Sequence, residues 1–556
     1  MKNLYLFFVI ATFCVAFFLR FYHFSDLPMG LNQDETAIGY NASLILQTGR
    51  DEYGHFLPLY FKSFGDYKLP VYIYLTSFSE KLFGFTAFAV RFWSALLGSC
   101  TIVIAFFLVA YIARNKWLSF TTAALLTVNP WQLFFSRIAL EVNIANFFLT
   151  LGVLLFLMGI DKKKLLLLTL SLLSFGLSLY SYNVARFVAP VMLCFLISLK
   201  WKEIHNTPLF WKVFSVVLFF IILSPFVMTL FSSSGFTMQK NVLIFGGQSQ
   251  ANILMFRSYL VSLPNLITKL FFNNIVLWVW VYLGNLIGFF SPGFFFLQGS
   301  TFSVSVGNVG MFYPFEAIAI AAGCFLAFTD KRLRVFTGWF LIVLCIVSLS
   351  AETPHATRDF VAIIPLTVFS AAGLLCIFSW IQKQPTVIRN MLFTVCFLLI
   401  GYSLVYFAAS YTQQFPALSA QTYRAEDKPL ALFLKSREGT YQHIVIATDA
   451  DFIYTSLLFY QQYPAKNFLA TARHEPDSLF IHLQQVGKYA FAPIDWSKVS
   501  TMKRTLLVVK GTATAPSNIH LLATFPYPQR HIVLPLSTMY AQYPVTDIAY
   551  KVYETK

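Results

Sequence analysis

Apolar residues run in long blocks along most of this chain, separated by short basic clusters. Runs long enough to cross a bilayer fall at 4–21, 86–112, 117–135, 142–160, 164–181, 186–200, 209–231, 310–329, 333–351, 359–380 and 390–411. The pattern predicts a mainly α, polytopic membrane protein of about eleven transmembrane helices. Arg114-Asn115-Lys116, Lys162-Lys163-Lys164, Lys200-Trp201-Lys202, Lys331-Arg332-Leu333-Arg334 and Lys383 to Arg389 occupy alternate loops. Cytoplasmic loops carry the excess of Lys and Arg, so these loops and the N-terminus with Lys2 are expected inside. The segment after about 411 is then outside. Segment 264–290 is also apolar, but counting it as a span would throw the Lys331–Arg334 cluster outward. It is therefore expected to lie in or against the outer leaflet. No small-residue cleavage site follows the first span, which reads as a retained anchor.

Between the spans, two outer segments are too long to be plain connectors. Residues 22–85 read as two interfacial amphipathic helices, one from Thr36 and one from Leu69 to Leu82, joined by the turn-rich Gly49 to Asp66. Residues 232–309, rich in Ser, Gly, Phe and Asn, are expected to form a lid-like segment. From 412 to 556 the pattern changes. Strand-like runs at His443–Thr448, Thr505–Val509 and His531–Pro535 alternate with helix-like pieces such as Asp451 to Gln461. This predicts a membrane domain over 1–411 and a small extracytoplasmic α/β domain over 412–556. The smaller domain has no Gly-rich phosphate loop and no nucleophile elbow. It is expected to be dispensable for a chemical step.

Composition supports this reading and excludes others. Of 556 residues, 57% are hydrophobic and only 12% charged, and the net charge is +16. Much of the basic excess sits in the cytoplasmic loops, and no aromatic-basic recognition module accompanies it. Anionic lipid, not nucleic acid, is the expected partner. All seven cysteines fall inside predicted spans, so neither a disulfide framework nor zinc-ligand spacing is present.

The candidate chemistry lies at the outer ends of the spans. Asp34 and Glu35 are adjacent carboxylates about a dozen residues past the first span. One reading is capping, with Asp34 as the N-cap of a helix from Thr36 to Thr48 that Gly49 ends. The other is an acid/base pair, or two ligands for a divalent metal, the one cofactor suggested here. Topology gathers Lys68, Arg137, Glu141, Arg186, His355 and Arg358 on the same face, with Tyr67, Tyr180 and Tyr182 beside them. Transporters and pumps place ionisable groups near the midplane. Cations around carboxylates at one interface suit a lipid-linked phosphate substrate, with the cations holding phosphate and a carboxylate deprotonating an incoming hydroxyl. Taken singly, each arginine is equally explained by snorkelling to headgroups.

The order of short motifs adds a resemblance. Asp34-Glu35 is followed by Gly49-Arg50-Asp51-Glu52-Tyr53-Gly54, Leu57-Pro58-Leu59, Tyr67 to Leu75, the Phe83-Gly84 turn and Arg91-Phe92. Ser136 to Glu141, Tyr180 to Pro190 and Pro354-His355-Ala356-Thr357-Arg358 come later. In these stretches, mostly over 20–200, the chain resembles the membrane-embedded GT-C glycosyltransferases, specifically glycosyltransferase family 39. That branch includes the protein O-mannosyltransferases and the lipid A aminoarabinose transferases. The resemblance implies a polyprenyl-phosphate sugar donor, an envelope acceptor (lipid, glycan or protein) and transfer with inversion at the outer face of a prokaryotic plasma membrane. It implies Asp34 as the catalytic acid position, Glu141 as the second acidic position, and Lys68, Arg186 and Arg358 as phosphate contacts. The β-trefoil insert of eukaryotic protein mannosyltransferases is absent. The rival reading is a lipid-linked sugar flippase, or an envelope scaffold without catalysis.

Overall fold

Helix occupies every apolar run named above, and local chemistry sets where each helix starts and stops. A computed structural model describes residues 2–64, 66–230, 243–246, 265–447, 453–474, 483–527 and 548–555. The expected strand at His531–Pro535 and most of 232–264 lie outside the described residues. The chain divides into two compact units. One comprises 1–22, 94–136 and 140–408, the other 23–93, 137–139 and 409–556.

The first unit is a helical bundle. Among the described residues, seven helices are long and apolar enough to cross a membrane: Leu4–Phe21, Ala87–Ala113, Glu141–Asp161, Leu209–Met228, Asn274–Leu297, Ala356–Gln382 and Thr386–Ser419. Leu165–Leu179, Ala185–Leu199 and Glu316–Thr329 are apolar but shorter. The chain is a multi-pass membrane protein. Run 117–135 is not one rod. Lys116–Val128 stops at Asn129, whose side chain caps the short helix Pro130–Phe135 by accepting from the Gln132 amide. Proline at the first helical position lacks the N–H that a continuing helix would need. Asn274–Leu297, which overlaps the segment 264–290 expected against the outer leaflet, is also long and apolar enough to cross, though it is the least apolar of the seven.

Close packing in the bundle relies on small residues. A Cβ on Gly323 would meet the Phe369 carbonyl, and one on Gly373 the Ala319 carbonyl, so helices Glu316–Thr329 and Ile363–Gln382 touch backbone to backbone. Arg20, fully buried at the end of the first helix, donates to the carbonyls of Ala16, Leu126 and Thr127 and to Ser136 Oγ. Without water, a buried guanidinium needs such acceptors.

The second unit joins the first long loop, residues 23–93, to the C-terminal residues. Its mixed seven-stranded sheet runs in the order Arg473–His474, Leu483–Val486, Tyr489–Ala492, His443–Ala447, Thr505–Lys510, Ile548–Thr555, His520–Pro526. His443–Ala447 is central and parallel to both neighbours, which explains its apolar run Ile444, Val445 and Ile446. The expected strands at 443–448 and 505–509 are therefore present as an inner pair. Helix Gln33–Thr48 packs against helix Pro70–Phe83 and against helices Ile453–Gln461 and Ala465–Thr471. The compact units thus do not follow a division at 411/412, because residues 23–93 form one unit with 409–556.

Candidate active site

The helix carrying Asp34 and Glu35 is Gln33–Thr48, and its N-cap lies two residues before the expected Asp34. Asn32 is its N-cap, its Oδ1 accepting from the Glu35 amide at 2.9 Å, while Glu35 Oε2 accepts from the Asn32 amide at 3.1 Å. This reciprocal pair is a capping box. Gly49 ends the helix at φ 70°, with its amide donating to the Ile45 carbonyl. Capping therefore falls to Asn32 and Glu35, and Asp34 takes no part in it.

Glu35 is fully buried and takes donors from several directions. Arg91 donates to it from Nε at 2.8 Å and from a terminal nitrogen at 2.9 Å, and the Ala139 amide adds a third bond at 2.9 Å. Arg91, also fully buried, donates in addition to the carbonyls of Phe24, Ser25, Pro28 and Gly30. One guanidinium therefore ties the 24–30 loop to the helix start. The expectation of Glu35 as a catalytic or metal-binding carboxylate meets a physical obstacle, because its oxygens are already engaged by protein donors. Among the described residues no three His, Cys, Asp or Glu side chains converge as metal ligands.

Asp34 is the exposed member of the pair. Its side chain is 48% exposed, and Oδ1 accepts from Lys68 Nζ at 2.7 Å. Lys68 ends the short hairpin Phe61–Ser63/Asp66–Lys68, in which half-buried Tyr67 pairs with Lys62. Pro70 then opens the next helix, so the lysine is held by paired backbone on one side and a helix start on the other. Arg137 is nearly buried. Its Nε donates to the Tyr411 hydroxyl at 2.8 Å, and the guanidinium lies 5.3 Å from the Tyr411 ring centre. Those contacts hold residues 137–139 in place, a different use from the expected phosphate contact. Nearby in the chain, Glu52 is fully buried. Burial, reinforced by Asp51, pushes its carboxyl up to about 8, so it is protonated at neutral pH.

The remaining expected residues lie in the helical bundle. Tyr182 donates to Thr357 Oγ1 at 3.0 Å, and Thr357 in turn meets His355 Nδ1 at 3.0 Å. Burial pushes the Tyr182 phenol up to about 12, and Arg358, Glu141 and Asp359 all bear on it electrostatically. Glu141, Tyr182, His355 and Arg358 thus form one polar group. Burial, aided by Arg358, lowers His355 to about 4. The cation expected there is thus disfavoured by burial and by the neighbouring Arg358. Arg358 donates to the Glu352 carbonyl at 3.2 Å, and Arg186 lies 5.2 Å from the Phe226 ring centre. Tyr180, expected to line a pocket, is spent on helix Leu209–Leu230, bonding the Ile222 carbonyl and the Phe226 amide.

Comparison with known proteins agrees with this architecture. Residues 68–228 match the dolichyl-phosphate-mannose-protein mannosyltransferase family, PMT_2. The fold matches ArnT from Cupriavidus metallidurans bound to undecaprenyl phosphate, with TM-score 0.52 and 14% identity over 100% of this chain and 98% of that one. The apo state of ArnT gives 0.52, 12% identity, 99% and 98%. Residues 68–228 are thus similar in sequence to that mannosyltransferase family, and the chain as a whole shares its fold with ArnT. AglB from Archaeoglobus fulgidus, an oligosaccharyltransferase in complex with an inhibitory peptide and a dolichol-phosphate, gives TM-score 0.50 and 13% identity. That match covers 83% of this chain and 64% of AglB, so this chain spans a little under two thirds of its length. At these identities the likeness is one of fold. No curated protein matches the sequence significantly.

Sequence reasoning placed Asp34 and Lys68 in one group and missed what fixes them. Arg91 was visible as the only charge in the run 86–112. A charge in a span is a standing signal of a partner. Tyr411 carried no such signal, whereas Asn32 three residues before Glu35 is the sequence pattern of a capping box.

Proposed function

We propose that this protein transfers a sugar from a polyprenyl-phosphate donor to a hydroxyl-bearing envelope acceptor at the outer face of a prokaryotic plasma membrane. The observation that carries the reading is the division of labour in Asp34-Glu35. One carboxylate is locked into a buried ion pair, while its neighbour stands half exposed on the same fixed helix end, 2.7 Å from a lysine. Asp34 is the general base. It takes the proton of the acceptor hydroxyl as that oxygen bonds to the anomeric carbon. The bond from that carbon to the phosphate oxygen breaks, and the polyprenyl phosphate leaves with the electron pair, inverting the anomeric centre. Lys68 stabilises charge on the departing phosphate.

The fold relatives support a lipid-phosphate donor, since ArnT is bound to undecaprenyl phosphate and AglB to a dolichol-phosphate. In the bundle, Arg186 and Arg358 are our candidates for binding phosphate, with Glu141 and Tyr182 for binding polar groups of the substrates. Purified protein incubated with polyprenyl-phosphate sugars tests the reading. Release of polyprenyl phosphate with sugar appearing on an acceptor supports it, and an intact donor throughout the panel overturns it.

A further inference from the structure

The helix that presents Asp34 is gripped from its buried side by the C-terminal part of the same unit. Thr36, two residues after Asp34, donates its hydroxyl hydrogen to the Gln33 carbonyl at 3.0 Å. Its Oγ1 lies 3.0 Å from Thr455 Oγ1 and accepts from Ser456 Oγ at 3.5 Å. All three hydroxyls are buried, Thr36 and Ser456 fully. One turn on, Gly39 has no room for a side chain, since a Cβ would sit 2.5 Å from the Phe459 ring. Tyr40 packs edge-to-face on Phe468, and Gln47 Oε1 accepts from the Ala465 amide at 3.4 Å. The contacts on Thr36, Gly39, Tyr40 and Gln47 follow one face of the helix, at steps of three, one and seven residues.

We infer that Thr455 and Ser456, more than 400 residues away in sequence, are positioning residues for the transfer reaction. Neither faces substrate. They fix the rotation and height of helix Gln33–Thr48 through Thr36, and so fix where the Asp34 carboxylate meets an acceptor hydroxyl. A ladder of hydroxyl contacts suits this task better than apolar contact, because its bonds are directional and a slip of one helical step breaks those that join Thr36 to Thr455 and Ser456. Displacing a base by about 1 Å costs as much as 10²-fold in rate, whereas donor binding, which does not depend on the base, is spared. This inference rests on Asp34 being the base. It makes the C-terminal residues a working part of the active site, contrary to the expectation that they are dispensable for chemistry.

The test uses the full-length protein in lipid nanodiscs with the donor that it turns over. Thr455→Val removes the hydroxyl and keeps the shape, Thr455→Ser keeps the hydroxyl, and Ser456→Ala removes the weaker rung. Expected for Thr455→Val is a fall in kcat of about tenfold or more, with donor KM within about twofold of wild type. Thr455→Ser should return kcat to near the wild-type value, and Ser456→Ala should show a smaller fall. A Thr455→Val protein with wild-type kcat overturns the inference. So does a fall that Thr455→Ser shares equally, which would mean that packing alone matters. If Thr455→Val does not fold, Thr455→Ser and Ser456→Ala carry the test, and wild-type kcat in Ser456→Ala then overturns the ladder. Asp34→Asn run in parallel separates the two levels. If it loses transfer and the ladder variants do not, positioning alone fails. If it keeps wild-type rate, the base assignment fails and the inference falls with it.

Discussion

Asp34→Asn is the substitution whose consequences the structure constrains most tightly. Helix Gln33–Thr48 is capped by Asn32 and Glu35, so Asp34 contributes no capping bond that the amide would have to replace. The amide gives up only the ion pair with Lys68, in which Asp34 is 48% exposed and Lys68 13%. A pair so open to solvent contributes roughly 0–1 kcal/mol, and the melting temperature should move by no more than a few degrees. The chemical cost is of another order. A positioned base contributes about 10²–10⁴-fold, equivalent to roughly 3–5 kcal/mol of barrier. The assay is sugar transfer by protein in nanodiscs, followed as release of polyprenyl phosphate, with donor affinity and thermal melting measured on the same samples. The expected outcome is transfer reduced at least a hundredfold at nearly unchanged donor affinity and stability. Wild-type transfer by a folded Asp34→Asn protein would refute the reasoning. A drop in transfer matched by an equal loss of donor affinity would refute it too, because the residue would then be a binding contact.

Three further outcomes follow. Glu35→Gln breaks a fully buried ion pair and leaves Arg91 charged among carbonyls, a loss of about 3–5 kcal/mol that should appear as a large drop in melting temperature; a melting curve like wild type would show that the pair is not what holds the 24–30 loop. Lys68→Ala should weaken donor affinity several-fold while leaving the melting temperature within a few degrees, measured by competition with free polyprenyl phosphate; unchanged affinity would remove Lys68 from the phosphate site. Glu52 has a folded-state pKa near 8, above its ordinary 4.5, so the folded protein retains a proton that the unfolded chain releases. Its contribution is fully present below about pH 4.5 and is lost as pH rises toward about 8, at up to about 1.4 kcal/mol per pH unit; Glu52→Gln should flatten that slope in melts from pH 5 to 9, and a slope equal to wild type would contradict it.

How much of the molecule is legible in its sequence depends on the range of the interactions. Apolar blocks report helices well, because in lipid an apolar run must satisfy its backbone internally. They do not report the break at Asn129-Pro130, where capping chemistry overrides hydrophobicity. Segment 264–290 was placed by charge parity, a rule about loops that carries little information on the length of a helix, whereas the long apolar helix there runs over Asn274–Leu297. In the candidate site, Asp34 and Lys68 were legible as polar residues on an outer loop. The different fates of Asp34 and Glu35 were not, because both are acids at adjacent positions. What separates them is Arg91, 56 residues away, and the Ala139 amide, 104 away. Tyr180 and Tyr182 looked equivalent for the same reason, yet one is spent on a neighbouring helix and the other bonds Thr357. The link from Thr36 to Thr455 has no sequence signature, since two threonines 419 residues apart suggest nothing until the fold brings them together.

The central claim is that the bond between sugar and lipid phosphate is broken here, with Asp34 as the base. It is tested most directly by reconstituting the protein in vesicles with a panel of radiolabelled polyprenyl-phosphate sugars and separating intact donor, free polyprenyl phosphate and glycosylated acceptor. The account predicts that at least one donor yields free polyprenyl phosphate in step with glycosylated acceptor, and that Asp34→Asn abolishes both products. Donor moved intact across the bilayer, with no polyprenyl phosphate released from any member of the panel, would contradict it.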